Sequence, residues 1–250
     1  MISGDADIGA LPTNVAAQLY NSTDKEVVLL ALNTRGVLYL VANTANVSAP
    51  TSLADLAGKT VYCPAENPTL ITKALLEKAD VSLTLDNTSY AEPAALRDAL
   101  AAGLVDYAVL PEPMVTIAKS KAATGVTLTS ALDLTAEWDQ HFAEGSLVQG
   151  CVVARKAFVE EHPDLVESFL ADYAASIRYI TENPAEGGEL IAAAEIFAQA
   201  KVAERAIPKC NLCFVTGEPM KEAMEVFLAA MPKAAIGGEL PADDFYYGLQ

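Results

Sequence analysis

Short apolar runs alternate along the chain with longer stretches whose apolar residues recur every three or four positions. The first pattern predicts strands and the second predicts helices packed on a sheet. Residues 6–11 (ADIGAL) read as a strand, and Pro12-Thr13-Asn14 opens a helix through about Tyr20, with Thr13 or Asn14 placed to cap it. EVVLLALN (26–33) is nearly continuous in apolar residues, the mark of a strand buried on both faces. A turn at Thr34-Arg35-Gly36 leads into a second strand, VLYLVA (37–42). A polar loop (44–52) and a short helix in SLADLAG precede a strand at KTVYCP (59–64) and a helix from about Thr69 to Lys78. A strand within 82–90, a helix over AALRDALAAG ending at Gly103, a strand DYAVLP (106–111) and a helix MVTIAKSKA follow. VTLTSALD starts as a strand, and LTAEWDQHF reads as a short helix. VQGCVVAR (148–155) is a strand, and HPDLVESFLADYAASIRYITEN is a long helix with Pro163 in its first turn. Helices are expected again at about 184–200 and 217–231, and the tail LPADDFYY is turn-like.

Strands alternating with helices predict an α/β fold with mostly parallel sheets. One stretch occurs twice. Residues 4–12, GDADIGALP, and 103–111, GLVDYAVLP, each place Gly three residues before Asp and end on Leu-Pro. In each, Asp starts a strand and Pro, which cannot donate to the ladder, ends it. Two related α/β lobes are implied. Residues 58–118 form a self-contained series of strands and helices, whereas the first 20 residues match only the last third of such a series.

The composition narrows the function. Hydrophobic residues make up 52% of the 250, and the mean hydropathy is +0.25, so the chain can bury a large core. The net charge of −17 and a pI near 4.4 argue against binding phosphate backbones or an anionic membrane surface, both of which need Lys and Arg. No apolar run reaches the ~18 residues of a membrane span. Acidic Asp5 and Asp7 close to Met1 predict no signal peptide. Cys63 and Cys151 lie in apolar runs and read as small buried hydrophobes. Cys210 and Cys213 form one Cys-x-x-Cys, but no second pair of ligands accompanies it, so a structural role or a short-range disulfide is expected rather than zinc.

Candidate contact residues follow from strand ends. In open α/β sheets, ligands lie beyond the carboxyl ends of strands, where helix N-termini expose unpaired N–H groups. Thr13, Asn14 and Glu112 fall at such places, either as ligand contacts or as residues that only serve their helices. The loop AENPT (65–69) has the same setting, with Thr69 able to cap its helix or donate to a ligand. No Gly-rich nucleotide motif is present. Arg35 is the one basic residue in an uncharged apolar segment, and either pairs with a ligand carboxylate or sulfonate or is solvated at a turn. Trp138 is a stacking wall or, in its amphipathic helix, a packing residue.

The segments ISGDADIGALPTNVAAQLYN, LADLAGKTVYCPAENPTLITKALLEK, AAGLVDYAVLPEPMVTIA, LVQGCVVARKAFVEEHPDLVESFLADYAASI and AIPKCNLCFV, in that order, resemble one family. It is the solute-binding proteins of ABC importers, in the nitrate/sulfonate/taurine and thiamine-pyrimidine-precursor group. The resemblance implies the type II periplasmic-binding-protein fold: two α/β lobes joined by a two-strand hinge, with a ligand cleft between them. It implies lobe 1 from 1–43 plus 149–250 and lobe 2 from 44–148, with crossings near Val41–Asn43 and Leu147–Gly150. Family members begin with a signal sequence, often lipoprotein-type, then a strand, a helix and a second strand. The expectation is therefore an N-terminally truncated first lobe, with an open strand edge that a homodimer would cover.

The function implied is capture of a small polar organic ligand outside the cytoplasm and delivery to a permease and its ATPase, without a cofactor, a metal or catalytic residues. The contact residues expected are Pro12, Thr13, Asn14 and Arg35 from the first lobe, Glu66, Asn67, Thr69, Tyr90 and Glu112 from the second, Gln149 at the hinge, and Asn211. Paired carboxylates would favour amines or hydroxyl-rich heterocycles; Arg35 would favour an anion. Two other readings stay open. One is a cofactor-biosynthesis enzyme on the same scaffold, with Glu66 or Glu112 as base. The other is a truncated remnant without a ligand.

Overall fold

The computed structural model describes residues 5–249; Gly4 of the first repeat lies outside them. The chain runs β1 (Ile8–Pro12), α1 (Thr13–Ser22), β2 (Val27–Arg35), β3 (Leu38–Asn43), β4 (Thr60–Tyr62), α2 (Asn67–Lys78), β5 (Thr84–Asp86), α3 (Pro93–Ala101), β6 (Tyr107–Pro111), α4 (Met114–Ser120) and β7 (Leu128–Asp133). It continues through α5 (Leu134–His141), β8 (Val148–Arg155), α6 (Lys156–Glu161), α7 (Pro163–Glu182), α8 (Pro184–Ala193), α9 (Ala200–Ala206), β9 (Leu212–Val215) and α10 (Gly217–Ala229). Both Leu-Pro repeats end their strands at the proline, and a helix follows each. The helix expected at 184–200 is instead two, α8 and α9. The short strand β9 follows Cys210, where the sequence pattern predicts no element.

The chain divides into two compact units. Unit 1 comprises Met1–Gly36, Ala143–Asn183 and Asn211–Gln250; unit 2 comprises Val37–Phe142 and Pro184–Cys210. These bounds differ from the expected lobes chiefly at residues 184–210, which pack with unit 2. There α9 lies against α4, and the Tyr39 hydroxyl donates to the Lys209 carbonyl at 3.0 Å. Contacts spanning 170 positions leave no trace in a local hydrophobic pattern.

Unit 1 is built on a four-stranded sheet in the order β1-β8-β2-β9. The unit β1–α1–β2 has parallel strands, as expected, but β8 enters antiparallel between them, and β9 pairs antiparallel with β2. The sheet's ladder is therefore antiparallel throughout, against the expectation of mostly parallel sheets. The reason is that β8 comes from a distant stretch of chain, to which the strand-helix-strand rule does not apply. Residues 27–33 of β2 are all buried, as their continuous apolar run requires. On one face Val28, Leu30, Val152 and Ala154 meet Val166 and Leu170 of α7. Helices α1 and α10 also pack on the sheet, burying Ala16, Ala17, Tyr20, Met220, Met224 and Phe227.

Unit 2 holds a five-stranded sheet ordered β5-β4-β6-β3-β7. Strands β5, β4 and β6 are parallel, while β3 runs antiparallel to both β6 and β7. One core gathers Val41, Leu96, Leu100, Ala108, Leu110 and Val115 beneath α3 and α4. Trp138 is fully buried and stacks on Phe142 with ring centroids 3.9 Å apart, so it packs α5 rather than forming a ligand wall. All four cysteines are free, which leaves Cys210 and Cys213 reduced in this structure.

Candidate functional site

In unit 1 the candidate residues converge at one end of the sheet. Pro12 lies opposite Gly150 in the β1–β8 ladder, and Arg35 lies opposite Val148 in the β2–β8 ladder. The register skips Asn33 on β2 and Gln149 on β8. Such bulges bend a strand and re-aim its side chains, and here they carry β2 through Arg35, where the sequence predicted a turn. Gly150 serves the bulge directly, because a Cβ there would meet the Asn33 side chain and Thr34. The Arg35 N–H donates to the Asn211 carbonyl at 3.0 Å, and Asn211 Nδ2 donates to the Gly36 carbonyl. Pro12, Thr13, Asn14, Arg35, Gln149 and Asn211 thus come together in unit 1.

Their roles differ. Thr13 is fully buried and its Oγ1 donates to the Val148 carbonyl at 2.7 Å. It occupies the first helical position and does not cap α1, because its hydroxyl is committed to β8. Asn14 Nδ2 reaches the Ala235 carbonyl at 3.4 Å, while its buried Oδ1 has no partner. Arg35 opens into a cavity of about 250 Å³. Leu32, Val148 and Val215 make an apolar floor, α10 supplies Val226 and Glu222, and the segment before β8 supplies Glu144 and Gly145. A Cβ at Gly145 would collide with the Arg35 guanidinium, and φ there is +74°. The backbone conformation favours glycine, and a side chain there would displace the guanidinium. Burial pushes the Cys213 thiol up, and Arg35 beside it pulls it partly back.

In unit 2 the strand ends also collect polar groups. Glu66 is exposed, with φ 62°, just ahead of α2. Asn67 opens the helix with its Oδ1 buried and unpartnered. Thr69 donates to the Pro64 carbonyl at 2.7 Å, so it ties the loop to the helix and is not the cap. Tyr90 packs edge-on to Tyr62, with centroids 5.7 Å apart. The Glu112 side chain is wholly buried; its two oxygens accept from the Thr116 N–H and Oγ1, each at 3.0 Å, and Lys209 Nζ stands 3.9 Å away. Burial raises the Tyr39 pKa, and the Asp133 and Glu112 carboxylates raise it further. Burial and then Lys209 lower that of Lys119, which donates to Ser130 Oγ at 2.8 Å. Burial, aided by Glu112, pushes the Cys210 thiol to about 11. Lys209, Glu144, Glu222 and Gly145 were not legible in the sequence, because each reaches Glu112 or the Arg35 cavity only through long-range packing. The sequence EGS at 144–146 held one faint signal, a glycine beside a charge.

Among the described residues no group of three or more metal-ligating side chains comes together. No helix there is long and apolar enough to cross a membrane.

A search of curated proteins gave no match. A family model for NMT1/THI5-like proteins matches residues 1–187. The chain belongs to the NMT1/THI5-like family. This NMT1/THI5-like chain shares its fold with an ABC transporter from Parabacteroides distasonis, at 26% identity and a TM-score of 0.82, covering 100% of this chain and 83% of that one. The periplasmic aliphatic sulphonate binding protein SsuA from Escherichia coli matches at 13% identity and a TM-score of 0.73, over 98% of this chain and 76% of that one. The desulfurization enzyme DSZB matches at 15% identity and a TM-score of 0.59, over 97% and 84%. At those identities the last two show the fold alone. The NMT1/THI5-like fold here is the α/β architecture of type II periplasmic binding proteins, as expected.

Proposed function

We propose that this chain is the solute-binding component of an ABC importer and captures a small polar organic ligand. The observation that carries this reading is the Arg35 cavity of unit 1, about 250 Å³, lined by apolar residues with a few charged side chains among them. The likeness to an ABC transporter protein over the whole chain supports it. The contact residues are Pro12, Asn14, Arg35, Gln149 and Asn211 in unit 1 and Glu66, Asn67 and Tyr90 in unit 2, while Thr13, Thr69 and the buried Glu112 hold the backbone that presents them. The protein works outside the cytoplasm, anchored at the membrane, and hands its ligand to a permease driven by an ATPase. Strand β1 sits at the edge of its sheet, and pairing of two copies there is the homodimer reading; sedimentation tests it.

A thermal-shift screen of amines, sulfonates, nucleobases and vitamin precursors tests the function. A ligand selective for the folded state raises the midpoint with concentration. The reading requires at least one solute to do so, and a chain that melts at the same temperature with every solute is not a binding protein for these classes.

A further inference from the structure

The Arg35 cavity has an unusual charge inventory. Arg35, Glu144 and Glu222 all line it, yet none of the three forms an ion pair among the described residues. The Arg35 guanidinium is held in place by the strand end and by the missing side chain at Gly145. Glu222 is fixed to α10, and Glu144 sits beside Gly145. One cation and two carboxylates therefore share a cavity without neutralising one another.

A purely anionic ligand on Arg35 would bring its charge near the two glutamates. A purely cationic ligand on the glutamates would approach Arg35. Only a ligand with both charges satisfies both ends. The apolar residues of the same lining, Leu32, Val148 and Val215, suit a short hydrocarbon body. A volume of about 250 Å³ holds roughly eight waters at ~30 Å³ each, so the ligand is small.

We propose that this cavity binds a small zwitterion of the amino-acid class, its carboxylate on Arg35 and its ammonium on Glu222 and Glu144. The proposal rests on the solute-binding reading above and names its ligand class.

The test is titration calorimetry with glycine, L-alanine, β-alanine and γ-aminobutyrate, against propionate and propylamine, which each carry one charge. At least one zwitterion binds saturably, and the single-charge compounds bind at least about tenfold more weakly. Arg35→Ala and Glu222→Gln each weaken binding by about 10- to 100-fold, the loss expected for one charge-assisted partner. Gly145→Ala does the same by displacing Arg35. Glu222 is an exposed helix position, so its variant keeps the comparison valid if the other two fail to fold. Zwitterions binding no better than propionate, or unchanged binding in Glu222→Gln, overturn the proposal. If sulfonates, nucleobases or vitamin precursors bind while amino acids do not, solute binding stands and the zwitterion falls. If nothing binds in either panel, both fall.

Discussion

Removing the Glu112 carboxylate should destabilise unit 2 by about 2–4 kcal/mol. The side chain is wholly buried and its two oxygens accept from one residue, the Thr116 N–H and hydroxyl, each at 3.0 Å. A hydrogen bond to a charged group is worth about 1.5–3 kcal/mol. Two bonds sharing one carboxylate are not additive, which sets the range below their sum. Glu112→Ala also leaves two donors buried without a partner. Lys209 contributes far less: its Nζ is 3.9 Å away and its side chain is 47% exposed, so Lys209→Met should cost less than about 1 kcal/mol. Glu112→Gln falls between, at about 1–2 kcal/mol, because the amide keeps one acceptor and turns a donor towards another donor. The assay is urea unfolding followed by tryptophan fluorescence. Trp138 is the only tryptophan and is buried in unit 2, so the signal reports that unit even if the two unfold separately. Glu112→Ala within about 0.5 kcal/mol of the parent, or Lys209→Met as costly as Glu112→Ala, would refute the assignment.

Three further outcomes are expected. Asp86 accepts from the Ser89 hydroxyl, the Ser89 and Thr88 N–H groups and the Thr88 hydroxyl, which together hold its pKa down to about 2. A folded pKa below the unfolded value of ~3.9 stabilises above that pH and is lost as pH falls towards 2; Asp86→Asn should flatten the acid slope of the urea midpoint, and parallel slopes contradict this. Burial pushes the Cys63 and Cys210 thiols to about 11 and Cys151 higher still, so at pH 8 only about one in a thousand of the first two is thiolate; fast labelling of folded Cys63 or Cys151 would count against it. Thr13→Val should cost about 1–3 kcal/mol by stranding the Val148 carbonyl, while Thr13→Ser keeps the bond; a calorimetric melt that leaves the valine variant unchanged rules out that role.

The element order was legible because it rests on local periodicity. The continuous run at 26–33 became the buried strand β2, and each Leu-Pro ended a strand before a helix. The ladder of unit 1 was not legible, since β8 reaches β1 and β2 from more than a hundred positions away. Nor was the packing of residues 184–210 with unit 2. At the candidate site, strand-end logic found Glu112, and a lone charge in an apolar segment found Arg35, but neither showed what surrounds them. Thr13 and Thr69 were named as contacts for being small polar residues at helix starts, and their hydroxyls instead serve backbone carbonyls. The bulges at Asn33 and Gln149 that re-aim Arg35 depend on register, which no single strand encodes.

Solute binding is tested most directly by titrating the folded chain and Arg35→Ala with each solute that shifts the melt. Binding predicts one saturable site per chain in the parent and at least about tenfold weaker binding in the variant. A chain whose circular dichroism and Trp138 fluorescence together show both units folded, yet which gives no heat with any solute, contradicts it.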